Sequence, residues 1–520
     1  MSRMNPWVKG AFILSVAGII TKILSAGYRV PFQNMVGDRG FYIYQQVYPF
    51  YGLIVAFMMY GFPMAISKLY AEGSRKIEDF TGIFLGLCVI GLSGFLIFHF
   101  GSPLIAAWMK DQELAPLFQT LAYLFLLFPV ISMQRGLFQG QGNMVPTALS
   151  QIGEQLVRVV TILIGAFFLT KAHKDLYEVG NAAVFGSVTG GIIALFILAM
   201  FTPWRKWSTW TGLRVNWGLM KSVIGLGFIF SLNSLLFIFL QLADSLQLYQ
   251  LLLADGESPN QAKELKGVYD RGQPLIQLGV VLATSFSLAL VPGLAKLQSE
   301  QKYKEIKKYI LLSLKMSVVI GMAATAGYAL IMEPLNEMLF ETAEGTKVLT
   351  VLSASVLFGS LSMTGFAIMQ GLGIHGPLFC LSISMFLGKV VLNLLFIPLF
   401  GMLGAAISTV AILLLLAIGI IRFISVKGYE LKVSSAFVIK IGIALAGMTA
   451  TVLILLFIMQ ADGLLSDSPR LKSFILAITS SITGAAVYIF LLVRLKVFSK
   501  EELHLFPKGK GFLKFFTMRK

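Results

Sequence analysis

Basic side chains occur inside long apolar stretches of this sequence, where an anion is the ligand they would bind. Lys22 and Arg29 are seven residues apart in the first stretch, so they share one helical face, two turns apart, with Ser25 between them. A cation at the centre of a membrane helix costs roughly 2.5–3.5 kcal/mol on insertion scales, so it should face a cavity, a partner or the interface. Because Lys22 lies near the middle of its stretch and neither residue has a carboxylate on its helix, we favour a binding role over snorkelling to water.

Further charged residues lie inside or at the ends of such stretches. Glu154 precedes Arg158 by four residues, and we predict that the two pair and neutralise each other. Asp270 either pairs with the adjacent Arg271 or lies at the membrane interface. Further basic residues in these stretches include Arg135 and Lys389.

The excess of intramembrane positive charge predicts an anion site. Arg and Lys bind phosphate through charge-assisted hydrogen bonds, so a phosphate or diphosphate is the expected ligand. We predict that Lys22, Arg29 and Arg271 bind it. The supporting residues are Ser25, Arg158, Lys389 and Asp270.

Metal and redox chemistry has little support in the sequence. Cys88 and Cys380 lie in apolar runs and the four histidines are scattered, so we find no metal-ligand spacing and no disulfide framework, and we expect no cofactor. The driving force stays open between Na⁺ coupling, H⁺ coupling and the membrane potential. The candidates for ion coupling are Asp244, Asn233 and Gln241.

Membrane-spanning helices must position these residues. Of 520 residues, 57% are hydrophobic and 13% are charged, and the hydrophobic residues form runs about 20 long, enough to cross a hydrocarbon layer of ~30 Å. The sequence therefore predicts an all-α integral membrane protein with about fourteen spans, whose first apolar run is a retained span rather than a signal peptide. The spans lie near 10–33, 42–67, 80–100, 115–137, 146–170, 181–202, 220–245, 268–293, 309–332, 348–370, 377–398, 402–424, 435–459 and 473–494.

The loops between the spans differ in charge. An even number of spans puts both termini on one side, and the loops of that side hold 25 basic residues against nine in the opposite loops. By the positive-inside rule, both termini face the cytoplasm of a bacterial cell membrane. The net charge of +17 is thus a membrane feature, since no basic soluble domain exists to bind nucleic acid. The basic, aromatic tail suits an anionic leaflet, although we favour the simpler interpretation as a topology signal.

A sequence repeat divides the chain. The pattern QGxGxxxP begins at Gln139 and recurs at Gln370, and the same offset of 231 carries Arg158 onto Lys389. Parallel six-helix repeats are common in transporters that rock around a central site. The predicted domains are a lobe at 1–202, a cytoplasmic linker at 203–221, a second lobe at 222–425, helices thirteen and fourteen at 426–496 and a tail at 497–520.

Several segments resemble a known family. Tyr269-Asp270-Arg271, continuing to Leu290-Val291-Pro292-Gly293-Leu294-Ala295-Lys296, resembles the eighth helix of MurJ-type lipid II flippases, and Thr21-Lys22-Ile23-Leu24 with Tyr28-Arg29 resembles their basic first helix. The opening, through Gly61-Phe62-Pro63 and Ala65-Ile66-Ser67-Lys68, is similar to the stage V sporulation protein B and polysaccharide-biosynthesis branch of the multidrug/oligosaccharidyl-lipid/polysaccharide (MOP) exporter superfamily.

The resemblance implies a two-lobed MATE/MurJ-like fold and a transporter rather than an enzyme. It implies that a sugar linked through a diphosphate to undecaprenol, such as a lipid II-like peptidoglycan precursor or a polysaccharide unit, moves from the inner to the outer leaflet by alternating access. Basic residues of helices one and eight would line the cavity, and the last two helices would help to form a groove for the lipid tail. The second basic residue of helix one, Arg29, stands one residue later than in the family pattern, where Tyr28 takes its place.

Two other functions compete with this one. A MATE-type antiporter of drugs or cations would share the fold, but exporters of organic cations need acidic or aromatic groups in the cavity. A membrane glycosyltransferase would need a carboxylate cluster or metal site on a sizeable loop, and the longest loops lack one. The expected partners are the lipid-linked sugar and the membrane lipids, and the chain is expected to act as a monomer.

Overall fold

The structure is a computed structural model that describes residues 6–72, 77–202, 217–288, 291–374, 376–429, 431, 433–461, 468–499 and 501–502. Asn233, a candidate for ion coupling, is one of a few helical residues whose side chains lie outside this description. The described residues form helices and short turns and contain no strand. The chain divides into two compact units, Met1–Asp270 and Arg271–Lys520.

The first unit is built from ten α-helices in the described part of the chain, with α2 at its centre. α2 contacts α7, α8, α9 and α10. The helices are α1 (Pro6–Gly27), α2 (Arg29–Val55), a π-helix (Ala56–Gly61), α3 (Phe62–Ala71), α4 (Ile77–Phe100), α5 (Ser102–Trp108), a 3-10 turn (Gln112–Leu114), α6 (Ala115–Gly140), α7 (Val145–Lys171), α8 (Leu176–Phe201), α9 (Trp217–Ala254) and α10 (Pro259–Asp270).

In the second unit, α13 contacts α11, α12, α14, α15 and the C-terminal helices. The C-terminal pair, α18 and α19, contacts α13, and the Tyr488 hydroxyl donates to the carbonyl of Val319 at 2.8 Å. The helices are α11 (Gly272–Leu288), α12 (Val291–Ser299), α13 (Tyr303–Phe340), α14 (Thr346–Ser353), α15 (Ser355–Gly371), α16 (Gly376–Phe400), α17 (Met402–Val426), α18 (Ser435–Ala461) and α19 (Pro469–Arg494).

The apolar runs become helices because a chain inside lipid must satisfy its backbone hydrogen bonds internally. Twelve helical runs of the described residues are long and apolar enough to cross a membrane. The first of them, Ile13–Ala71, holds two predicted spans, and the chain breaks between them at Gly37, whose φ of 67° suits glycine. The predicted eighth span falls on the shorter α11 and α12. The all-α multispan fold is thus confirmed.

Some span edges differ from the prediction. The seventh span was placed at 220–245, but α9 continues to Ala254, and helical structure resumes at Pro259 in α10, nine residues before the predicted eighth span. Hydropathy did not predict the start of α10 because its first residues are polar, whereas residues 246–254, which extend α9, are largely apolar. α9 and α10 pack on α2 and belong to the first compact unit, although the sequence assigns them to the second lobe. The lobes and their bounds stay a prediction.

The two copies of QGxGxxxP form the same turn. Gly142 and Gly373 have φ of 78° and 73°, and each follows the end of a helix. The amides of Asn143 and Ile374 each bond to the carbonyl five residues earlier at 2.9 Å, which is the Schellman motif that favours glycine at this position. A proline then starts the next helix, α7 or α16, in each copy.

Candidate anion-binding site

Tyrosines on α2 form one wall of a buried polar site in the first unit. Tyr44, Tyr48 and Tyr51 follow one another at helical spacing, with ring centroids 6.0 Å and 5.8 Å apart. Tyr28, at the junction of α1 and α2, places its hydroxyl 2.7 Å from that of Tyr44. We call the group of Tyr28, Arg29, Tyr44, Tyr48, Tyr51, Gln155 and Arg158 the tyrosine–arginine cage.

Arg158 enters the cage from α7. Its Nη2 donates to the hydroxyls of Tyr44 at 2.6 Å and Tyr28 at 3.2 Å, and its Nη1 donates to Gln155 Oε1 at 3.4 Å. The guanidinium carbon lies 4.0 Å from the centroid of the Tyr51 ring. Hydroxyls and aromatic faces thus surround this cation without cancelling its charge.

Arg29, the first residue of α2, is fully buried in the same cage. Its guanidinium carbon lies 4.3 Å from the centroid of the Tyr48 ring. The hydroxyls of Tyr28 and Tyr48 are nearby, but Nε, Nη1 and Nη2 make no hydrogen bond of standard geometry with the described residues.

The unsatisfied polar atoms of the cage are all hydrogen-bond donors. Besides the three nitrogens of Arg29, Nε of Arg158 and Nε2 of Gln155 are buried without a partner in the described part of the chain. All five carry N–H donors, and no described carboxylate forms an ion pair with either arginine. Buried polar groups normally find partners, so the cage suits an acceptor-rich anion.

Glu154 does not pair with Arg158 as its spacing had predicted. Its Oε2 lies 2.8 Å from Nη2 of Arg135, and Nε of Arg135 donates to Ser150 Oγ at 3.0 Å. Both members of this ion pair are buried. The carboxylate reaches across to α6 rather than along its own helix, so Arg135 is neutralised and Arg158 keeps its charge.

Lys22 lies in different surroundings from Arg29. It is exposed on α1, and its ammonium makes no hydrogen bond or ion pair with the residues described. Ser25 is half-buried on the same helix, close to the Tyr48 hydroxyl. Ser25 therefore borders the cage.

Asp270 and Arg271 belong to different compact units. Asp270 pairs with Lys266, whose Nζ lies 2.7 Å from Oδ2, and both residues are buried on α10. Arg271 donates from Nη1 to Thr342 Oγ1 at 2.9 Å, with its guanidinium carbon 5.3 Å from the Phe340 ring centroid. Convergence of Lys22, Arg29 and Arg271 on one cavity stays a prediction.

Lys389 is fully buried between α16 and α17. Its ammonium donates to the Ala405 carbonyl at 3.1 Å, Ser408 Oγ at 2.8 Å and Thr409 Oγ1 at 2.7 Å. An ammonium has three donors, so these contacts use its full capacity. Lys389 holds two helices together in the second unit.

Two of the three ion-coupling candidates are buried in the described part of the first unit. Asp244 and Gln241 are buried on α9, and Asp244 Oδ2 accepts a hydrogen bond from the Tyr269 hydroxyl at 2.9 Å. Among the residues described, no group of three or more His, Cys, Asp and Glu side chains could hold a metal ion. Coupling to Na⁺ or H⁺ stays a prediction.

A second polar cluster, in the first unit, was not predicted. Asp111 accepts hydrogen bonds from the hydroxyls of Tyr42 at 3.0 Å and Tyr177 at 2.7 Å, and Lys263 Nζ lies 3.5 Å from its Oδ2. The cluster connects α2, the start of the 3-10 turn, α8 and α10. Asp111, Tyr177 and Lys263 lie in or near predicted loops, where charge was read as topology alone.

The chain belongs to the polysaccharide biosynthesis protein family, whose model matches residues 7–298. The uncharacterized membrane protein YabM of Bacillus subtilis is 41% identical, over 99% of this chain and 97% of its own length. Lipid II flippase MurJ of the same organism is 25% identical over 97% of this chain and 98% of its own, and stage V sporulation protein B is 24% identical over 96% and 98%.

Solved structures share the fold. Lipid II flippase MurJ in an inward closed conformation superposes with a TM-score of 0.68 at 14% identity, over 93% of this chain and 100% of that chain. An inward-facing multidrug resistance MATE family transporter of the MOP superfamily gives 0.63 at 16% identity, over 78% and 94%. The predicted MurJ/MATE-like fold is confirmed, and so is the predicted similarity to MurJ, stage V sporulation protein B and the polysaccharide biosynthesis family. The relative MurJ is a lipid II flippase by name, and the two structural neighbours are a flippase and a transporter. The prediction of a transporter rather than an enzyme is therefore confirmed as well.

Proposed function

We propose that this protein is a flippase that moves an undecaprenyl-diphosphate-linked sugar from the cytoplasmic to the outer leaflet of the bacterial cell membrane. The observation that carries the proposal is the set of five buried N–H nitrogens of Arg29, Arg158 and Gln155 that make no hydrogen bond of standard geometry with the described residues. A diphosphate offers only acceptor oxygens when fully ionised, and it brings the negative charge that the two arginines lack. MurJ, a full-length relative, is a lipid II flippase by name, which supports the same class of substrate.

The cage supplies the binding step of alternating access. The arginines bind the diphosphate, while the tyrosine hydroxyls and rings hold their guanidinium groups in place. Lys22 and Arg271 add charge when the cavity is open, and the lipid tail stays in the membrane. The bound diphosphate favours one arrangement of the lobes, and the other arrangement becomes favourable again when the head group leaves.

The membrane orientation is part of the proposal. Both termini and the two QGxGxxxP turns lie on the cytoplasmic side, because most of the basic loop residues are on that side. The basic tail adds to the positive charge of that side. The driving force is Na⁺, H⁺ or the membrane potential, with Asp244, Asn233 and Gln241 as coupling candidates.

A MATE-type antiporter of organic cations is the alternative function. The cage argues against it, since two buried arginines without an ion-paired carboxylate in the described part of the chain would repel a cationic drug. A cation would also leave the five N–H nitrogens unsatisfied.

The test is binding of undecaprenyl diphosphate to the full chain in lipid nanodiscs. Each charge-assisted hydrogen bond is worth ~1.5–3 kcal/mol, so Arg29→Ala and Arg158→Ala should each weaken binding by roughly ten- to a hundredfold. Lys171→Ala is the matched control, because Lys171 is an exposed basic residue at the end of α7. Melting temperatures should show that the variants are folded. Arginine variants that bind as tightly as the control would refute the proposed site.

A further inference from the structure

A buried acceptor lies one helical turn from Arg29 and its unsatisfied donors. Gln33 is four residues further along α2, so its side chain shares a face with Arg29, one turn away. The side chain is 3% exposed, and its Oε1 has no hydrogen-bond partner among the residues described. A buried acceptor and three buried donors are thus one helical turn apart, and none of these four atoms makes a hydrogen bond of standard geometry with the described residues.

The amide orientation of Gln33 is fixed by its neighbour. Nε2 donates to Asp38 Oδ1 at 3.0 Å. A carboxylate only accepts hydrogen bonds, so the amide nitrogen must face Asp38 and the oxygen must face away. The free atom of Gln33 is therefore an acceptor.

The local backbone makes this arrangement rigid. Gly37, with φ of 67°, ends the first part of α2 and turns the chain so that Asp38 reaches back to Gln33. α10 packs against the turn so closely that a Cβ on Gly267 would lie 2.1 Å from the Asp38 carbonyl oxygen. Gln33 is thus held in place before any ligand arrives.

We infer that Gln33 reads a hydrogen-bond donor on the head group, namely a hydroxyl or amide N–H of the sugar next to the diphosphate. The inference rests on the proposed function and deepens it. Arg29 requires an anionic acceptor and Gln33 requires a donor one turn away. A fully ionised bare diphosphate satisfies only the first, whereas a diphosphate carrying a hydroxylated sugar satisfies both. Gln33 is accordingly a specificity residue that favours the sugar-linked carrier over the bare carrier.

The experiment compares two ligands on the full chain in nanodiscs: undecaprenyl diphosphate and undecaprenyl-diphosphate-linked N-acetylglucosamine. We expect the wild type to bind the sugar-linked lipid more tightly, with about two- to tenfold of the preference due to Gln33, the value of one neutral hydrogen bond. Gln33→Leu should remove this contribution to the preference and leave binding of bare undecaprenyl diphosphate unchanged. Gln33→Met, which keeps side-chain length and flexibility, gives a second variant if the leucine packs badly.

The control is Gln119→Leu, which removes a half-buried glutamine from α6 and should keep the wild-type ratio. Equal wild-type binding of the two lipids, or an unchanged ratio in both Gln33 variants, would overturn the role of Gln33 while leaving the diphosphate site intact. Failure of the wild type to bind either lipid would instead overturn the proposed function and this inference with it.

Discussion

Arg158 and Lys389 match in the sequence repeat but have different surroundings. Arg158 bonds to tyrosine hydroxyls and retains an unsatisfied nitrogen, whereas the ammonium of Lys389 donates to the Ala405 carbonyl and to two hydroxyls. Identical spacing therefore yields a cation with an unsatisfied nitrogen in one half and a fully hydrogen-bonded cation in the other. Their neighbours on adjoining helices decide which role each cation takes.

The Arg135–Glu154 pair gives a prediction at the residue scale. Removing one partner leaves a buried charge, so Glu154→Ala should lower the free energy of unfolding by roughly 3–5 kcal/mol. The double replacement Arg135→Met with Glu154→Met removes both charges and should destabilise less than Glu154→Ala. Melting temperatures in one detergent measure this. The single variants Arg135→Met and Glu154→Met complete the comparison, and a double variant destabilised by the sum of these two would show that the two charges do not interact.

Part of the site was predictable from residue types and part was not. Arg29 and Arg158 stand out as charges in apolar stretches, and Tyr44, Tyr48 and Tyr51 could have been recognised as one face of α2. The partner of Glu154 could not, because an i,i+4 rule considers one helix and Arg135 lies on the preceding one. The same limit hid the bond between Arg158 and Tyr44, which are 114 residues apart.

At the scale of elements, α2 organises the first unit because it changes direction at Gly37. This turn brings Asp38 to Gln33 on one side and accepts the close approach of α10 at Gly267 on the other. Hydropathy predicted the apolar runs on both sides of the turn. It could not predict that α10, a helix of low apolar content, would pack there with Lys266 and Asp270 buried as a pair.

Gly267→Ala should disturb this corner. The new Cβ would fall 2.1 Å from a backbone oxygen, so α10 or the turn must shift, and overpacking of this kind costs about 1–3 kcal/mol. Gly225→Ala is the control, since no atom lies within 4 Å of the Cβ it would add to α9. We expect a lower melting temperature for Gly267→Ala alone. Equal melting temperatures would contradict the tight packing of α10 on the turn.

At the scale of the whole molecule, composition predicted the fold class because membrane insertion depends on summed hydropathy. The orientation depends on loop charge, and it can be tested with single cysteines in a chain from which Cys88 and Cys380 have been removed. An impermeant thiol reagent added to intact cells should label Ser258→Cys but neither Ser2→Cys nor Asn143→Cys. Labelling of Asn143→Cys from outside would contradict the proposed orientation.

The most direct test of the central claim is translocation by the purified full chain in vesicles. Undecaprenyl-diphosphate-linked N-acetylglucosamine is placed in one leaflet, and its appearance in the other is measured with a reagent that cannot cross the membrane. Wild-type protein should move the lipid faster than protein-free vesicles, and the Arg29→Ala/Arg158→Ala double variant should lose that activity at equal reconstitution. Equal rates for the double variant and the wild type would contradict a role of the tyrosine–arginine cage in transport.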